Sequence, residues 1–151
     1  MKRLVATAAL LSTALAGAQE PGAMIEWPYV GAEQAHTKYS AVGDITAANV
    51  DELEIVWQWE PNEMPLEEYG TRPGPFQATP IMIGNILYLS TMYTRVVALD
   101  AETGTEVWRG ATPFPTQANP MTYRARSGRQ FVVIATGTGS DAALVAFARP
   151  K

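Results

Sequence analysis

The sequence has no cysteine and a single histidine, His36. That scarcity removes disulfide scaffolding, cysteine nucleophiles and most zinc, iron–sulfur and haem-thiolate chemistry before any motif is considered. Basic residues are also few. Eleven Lys and Arg stand against fifteen Asp and Glu, a net charge of −4 and the wrong sign for a nucleic-acid footprint. Charged residues make up 17% and apolar residues 47% of 151 positions, a globular composition at a length that suits one domain.

What is present begins with an address. Lys2 and Arg3 precede an uncharged, mostly apolar run, Leu4 to Ala16, and Ala16-Gly17-Ala18 supplies small residues for cleavage. The run is about 13 residues, short of the roughly 20 that a membrane span needs. Residues 1–18 therefore read as a signal peptide and the chain as a periplasmic protein. Cleavage after Ala18 removes two bases and no acid, so the mature chain is more acidic still, and no Cys follows to take a lipid anchor. In the N-terminal segment, 19–53, only Ile45 to Leu53 has a helical pattern, with Thr46 as its N-cap.

From residue 54 onward, short β-runs alternate with Gly, Pro, Asn and Asp. Glu54 to Trp59, Ala78 to Ile83, Ile86 to Thr91, Arg95 to Leu99, Thr105 to Arg109, Pro120 to Arg124, Gln130 to Thr136 and Ala143 to Arg149 read as strands of an all-β fold. The chain also repeats itself. Gln77-Ala78-Thr79-Pro80-Ile81 returns as Gln117-Ala118-Asn119-Pro120-Met121, and Val97-Ala98-Leu99 as Val145-Ala146-Phe147. A repeat of about 40–50 residues with several short strands is the signature of propeller blades, each a four-stranded antiparallel sheet. Over 54–151 the order is one lone strand (54–60), a full blade (76–110) and a three-strand blade (116–150). The lone strand reads as a ring-closing strand for the unfinished blade, and the whole as about two blades of an incomplete propeller.

Ala98-Leu99-Asp100-Ala101-Glu102-Thr103-Gly104-Thr105-Glu106-Val107-Trp108 resembles, without a mismatch, the AxDxxTGxxxW tryptophan-docking motif of PQQ-dependent (quinoprotein) alcohol and sugar dehydrogenases. In such a motif Asp100 hydrogen-bonds the turn, Gly104 takes a positive φ and Trp108 lies flat between blades. Ala98, Asp100, Thr103, Gly104 and Trp108 are thus structural, and Asp100 and Glu102 are not a catalytic pair. The stretches Glu26-Trp27-Pro28-Tyr29, His36-Thr37-Lys38-Tyr39-Ser40 and Ile45-Thr46 with Asn49-Val50 look like the start of a mature member of that family. Pro120-Met121-Thr122-Tyr123, Gln130 to Ala135 and Ala143 to Phe147 are similar to its closing blade.

The resemblance implies an eight-bladed propeller holding pyrroloquinoline quinone (PQQ) and Ca²⁺ near its axis, where hydride passes from an alcohol or sugar carbon to the quinone. Eight blades need several hundred residues. The resemblance therefore reads the chain as a truncated form, its first blade joined to its last, with an incomplete active site. The family's catalytic carboxylate and Ca²⁺ ligands lie in middle blades. No residue here matches them, so no catalytic and no metal residue is assigned. Gln77, just before a blade's first strand, is the candidate cofactor contact, and Arg95 a second one able to pair with a carboxylate. Gly137-Thr138-Gly139-Ser140 reads as a strand-linking turn, His36 as a packing or surface residue, and the loop bearing Glu63, Glu67 and Glu68 as a solvated connection. Incomplete blades also imply either a sandwich-like packing of the two sheets or self-association through open blade edges, with Trp57, Trp59 and Trp108 covering blade faces. The alternative function is a non-catalytic propeller-repeat binding or assembly protein of the cell envelope.

Overall fold

The computed structural model describes residues 24–72, 75–116 and 118–150. The signal-peptide reading and Gln117 lie outside them. Among the described residues seven strands, all in antiparallel ladders, form two sheets. The first contains β1 (Ile81–Ile83), β2 (Ile86–Ser90), β3 (Arg95–Asp100) and β4 (Glu106–Ala111), paired in chain order. The second contains β5 (Met121–Arg124), β6 (Gln130–Thr136) and β7 (Ala143–Phe147), again in chain order. Among the described residues the sheets do not close into a ring. The all-β, incomplete-propeller expectation stands, as two blade-like meanders.

Local chemistry sets these bounds. Pro80 and Pro120 offer no N–H to a ladder, so β1 and β5 each start directly after a proline, three residues and one residue later than the sequence pattern suggests. A two-residue Gly84-Asn85 turn, both at positive φ, joins β1 to β2 with the twist that a tight hairpin requires.

The centre of the molecule is β3. Val96, Val97, Ala98 and Leu99 are all buried, so both faces of this strand are covered. A strand buried on both faces reads as a continuous apolar run rather than an alternation. On one face, Val97 and Leu99 join Leu89 in a cluster against which Trp59, Ala78 and Leu87 pack. On the other, Ala98 and Tyr88 face β6 and β7 across a groove that also takes in Trp108, Val132 and Phe147. The link between the sheets is itself tied down. The Thr116 amide donates to the Tyr93 carbonyl at 2.7 Å, and the Thr116 hydroxyl donates to the Ala135 carbonyl at 2.7 Å.

Two expectations are corrected. Ile45 to Leu53 does not form an α-helix; it makes one 3₁₀ turn, Val50–Glu52. Thr46 and Asn49 together organise it: the Thr46 hydroxyl accepts from the Ala48 amide, and the Asn49 side chain accepts from the Thr46 amide and donates to the Asp44 carbonyl. Ile45, Val50 and Leu53 stay exposed, and a short helix with no surface to pack on is not stable in water. Glu54 to Trp59 is not a strand, because no described residue pairs with its backbone. It crosses the face of the first sheet and is held there by side chains: Trp59 sits on the Leu89 cluster, and its indole N–H donates to Glu106 at 3.2 Å.

Trp59→Ala should therefore uncover the Leu89–Val97–Leu99 cluster. A loss of about 2–4 kcal/mol is expected, below the cost of a fully buried ring, read from the denaturation midpoint in urea.

Candidate functional site

Gln77 lies where the chain enters β1. With Arg72, Phe76 and Ala78 it borders a cleft of about 300 Å³ whose other wall is Ser90, Thr91 and Met92 at the end of β2. Ser90 and Thr91 are buried and already partnered. The Ser90 hydroxyl donates to the Ala118 carbonyl at 2.7 Å, and the Thr91 hydroxyl accepts from the Arg95 amide at 3.2 Å. The Arg72 guanidinium and the Gln77 amide are exposed at the rim, and neither side chain hydrogen-bonds a described residue. The cleft thus joins a cation, an amide and the Phe76 ring over a floor whose own hydrogen bonds are made. That set suits a flat molecule bearing a carboxylate, which Arg can grip through two parallel N–H bonds. Sequence reasoning missed Arg72, which nothing marks until the loop brings it to the same cleft as Gln77, and Phe76, whose only signal was its place directly before Gln77.

Arg95 is not brought into this cleft. Its Nε is 3.1 Å from Glu63 Oε1, and Nη1 donates to the Pro61 carbonyl at 2.9 Å. Glu63 is correspondingly no solvated loop acid: its side chain is only 4% exposed. A carboxylate buried to this degree needs a paired cation, and Arg95 supplies it. The pair pins the 61–63 loop to the start of β3. Glu67 falls in a short 3₁₀ turn, Glu67–Tyr69, beyond it.

The tryptophan-docking residues come together at the β3–β4 turn, with one difference from expectation. The Asp100 carboxylate accepts from the Thr103 hydroxyl and amide, both at 2.9 Å, and from the Glu102 amide at 3.1 Å. These bonds, the Thr103 hydroxyl foremost, hold its pKa below the usual carboxylate value. Ala98 is buried and stands opposite Trp108 in the ladder. The register slips between Ala98 and Leu99, so Val107 is bulged out and Trp108 turns toward the second sheet. There its ring meets Phe147 edge-on, centroids 5.1 Å apart at 74°, instead of lying flat. The ring that lies against Gly104 is Trp57. Gly104 has φ +68°, and a Cβ there would sit 2.5 Å from the Trp57 ring. Gly110, which the sequence did not flag, floors Trp108 in the same way, a Cβ there falling 2.4 Å from its ring.

Among the described residues, no three His, Asp or Glu side chains gather into a group able to hold a metal ion. His36 is exposed in an N-terminal turn, and Gly139 to Asp141 forms a 3₁₀ turn linking β6 to β7.

Comparison with known proteins adds the lineage. The family model for the glucose/ethanol/alcohol dehydrogenase β-propeller domain, labelled PQQ, matches residues 27–115, a span that ends before β5. The quinohemoprotein alcohol dehydrogenase of Comamonas testosteroni is 36% identical over 83 residues, covering 55% of this chain and 10% of that protein. The quinoprotein glucose dehydrogenase A of Acinetobacter calcoaceticus is 33% identical over 84 residues, 56% of this chain and 10% of its own. The quinoprotein glucose dehydrogenase of Escherichia coli K12 is 35% identical over 95 residues, or 62% and 12%. The chain thus spans about a tenth of the length of these relatives. No solved structure matches it.

Gly104→Ala should strain the turn by ~1–2 kcal/mol and displace Trp57; a lowered Tm with red-shifted tryptophan emission would show both. The Asp100 bonds predict a pH signature. A carboxylate whose folded pKa is depressed stabilises the fold above its unfolded pKa and loses that contribution as pH falls through the folded value. The Tm of Asp100→Asn should lie below that of the parent at pH 7, and the gap should close as pH drops below ~4.

Proposed function

Because the chain belongs to the glucose/ethanol/alcohol dehydrogenase β-propeller family of PQQ proteins, we propose that its Arg72–Gln77 cleft is a contact surface for pyrroloquinoline quinone. The observation that carries this reading is the meeting of Arg72, Phe76 and Gln77 over one closed floor. Arg72 pairs with a carboxylate of the cofactor, the Gln77 amide donates to a carboxylate or quinone oxygen, and Phe76 flanks the ring system. When bound, the quinone supplies the chemistry of accepting a hydride from a hydroxyl-bearing carbon. The chain's own part is to bind and orient it. Arg95, spent on Glu63 and Pro61, has a structural role in this reading.

By lineage the substrate class is an alcohol or sugar hydroxyl, the chemistry in the names of the relatives. The residues that would hold Ca²⁺ and take the substrate proton are assigned to none of the described side chains, in keeping with a shortened form whose site is incomplete by itself. Residues 1–18 act as a periplasmic export signal, and self-association through open sheet edges brings further copies alongside.

Equilibrium dialysis of the purified chain against PQQ, with and without Ca²⁺, tests the cleft. Arg72→Ala should weaken binding about 10- to 100-fold and Gln77→Ala about 5-fold, the usual worth of a charged and a neutral hydrogen bond. Binding that both variants leave unchanged would remove the cleft from the cofactor's path.

A further inference from the structure

We propose that residues 54–60 of one copy of the chain add as a fourth strand to the free edge of β7 in a second copy, joining copies head to tail. This rests on the reading that open sheet edges drive self-association, and it names which edge meets which strand. The first sheet has four strands and the second three. β7 pairs β6 along one edge, and no described residue pairs with the other, an arrangement that soluble proteins rarely leave uncovered. Beside that edge Leu144 is 75% exposed. Residues 54–60 are the complement: a strand-like sequence whose backbone has no ladder, with Ile55 and Val56 85% and 78% exposed.

Within one chain the two cannot meet. Trp59 packs on the face of the first sheet that carries Leu89, Val97 and Leu99. The second sheet lies on the opposite face, where Tyr88, Ala98 and Trp108 point. The sheet β1–β4 stands between segment and edge. Reaching its own β7 would cost the chain the Trp57–Gly104 and Trp59 contacts and the Glu63–Arg95 pair. Two different patches that complement each other across copies, and not within one, make a heterologous, head-to-tail contact.

The register can be read from the chain's own repeat. Val56-Trp57-Gln58 matches Val107-Trp108-Arg109 in β4, and Val145-Ala146-Phe147 matches Val97-Ala98-Leu99 in β3. Val97 stands opposite Arg109 in the β3–β4 ladder, so Val145 of one copy stands opposite Gln58 of the next. Antiparallel pairing, the sense of every ladder here, also sets Glu54 opposite Arg149 and close to Arg129, with Glu52 leading in behind it. Arg129 donates from Nη2 to the Arg149 carbonyl, but its Nε is buried with no acceptor among the described residues. The incoming carboxylates supply an opposite charge where one is wanting.

A chain without native cysteine permits a clean test. Gln58→Cys and Val145→Cys variants are mixed and oxidised, and the products separated on a non-reducing gel, alongside light scattering of the parent. The mixture should give a dimer band several-fold stronger than either variant alone, or than Gln58→Cys mixed with Ser127→Cys on the β5–β6 turn. The double variant should form a ladder of multimers. Val56→Pro, which removes a ladder N–H while leaving Trp57 and Trp59 in place, should abolish association with the circular dichroism spectrum kept. Cross-linking within single chains of the double variant, or a mixture no better than its control while the parent is oligomeric, would overturn the strand exchange alone. A parent that is monomeric at every concentration would overturn the self-association reading with it.

Discussion

Everything in this molecule depends on covering β3 from both sides. A strand reading Val96-Val97-Ala98-Leu99 gains stability only if water leaves both of its faces, at roughly 1.5–3 kcal/mol for each large side chain fully buried. One face looks across a groove to a neighbouring sheet, with Trp108 and Phe147 meeting between the two. The other is closed by a length of chain with no ladder of its own, fastened by Trp57, Trp59 and the Glu63–Arg95 pair. The two covers are unlike in kind. A sheet is stabilised by its own hydrogen bonds before it packs, whereas the 54–63 segment is held in place only by what its side chains touch.

The docking turn belongs to the same economy of contacts. Asp100 folds the β3–β4 connection tightly enough to present Gly104 as a bare peptide surface, and Trp57 lies against it. On the far side of the sheet Trp108 meets Phe147. One turn thus serves two tryptophans from different parts of the chain, one per face. The proposed cofactor cleft is built from what remains at the opposite end of β2, where the loop before β1 meets the buried Ser90 and Thr91, Ser90 being tied in turn to the Ala118 carbonyl.

How much of this the sequence discloses depends on whether a residue's partner is near or far in the chain. The strands β2, β3 and β6 are plain in it because their apolar runs end at Gly, Asn or Asp turns. The Asp100 turn is plain because its donors sit two and three residues on. Residues 54–60 have a strand's composition, but a ladder needs an edge, and no local signal says which edge is within reach. Ile45 to Leu53 has helical spacing without a surface to pack on. Glu63 looks like one acid among several in a polar loop until Arg95 arrives from β3, and Arg72 becomes a neighbour of Gln77 only through the loop's path. The missed Gly110 had a visible hint, standing two residues after Trp108, but its tight contact with Phe147 is a matter of tertiary approach.

That contact ties three positions together in the protein's sequence drift. A methyl group at residue 110 would fall 2.4 Å from the Trp108 ring and 2.8 Å from that of Phe147. While both rings are in place, the position is closed to every side chain, alanine included. A smaller residue at 147 or 108 opens it. Among descendants of this chain, loss of either aromatic ring should come before any side chain at 110, so the order of substitutions is written into the packing.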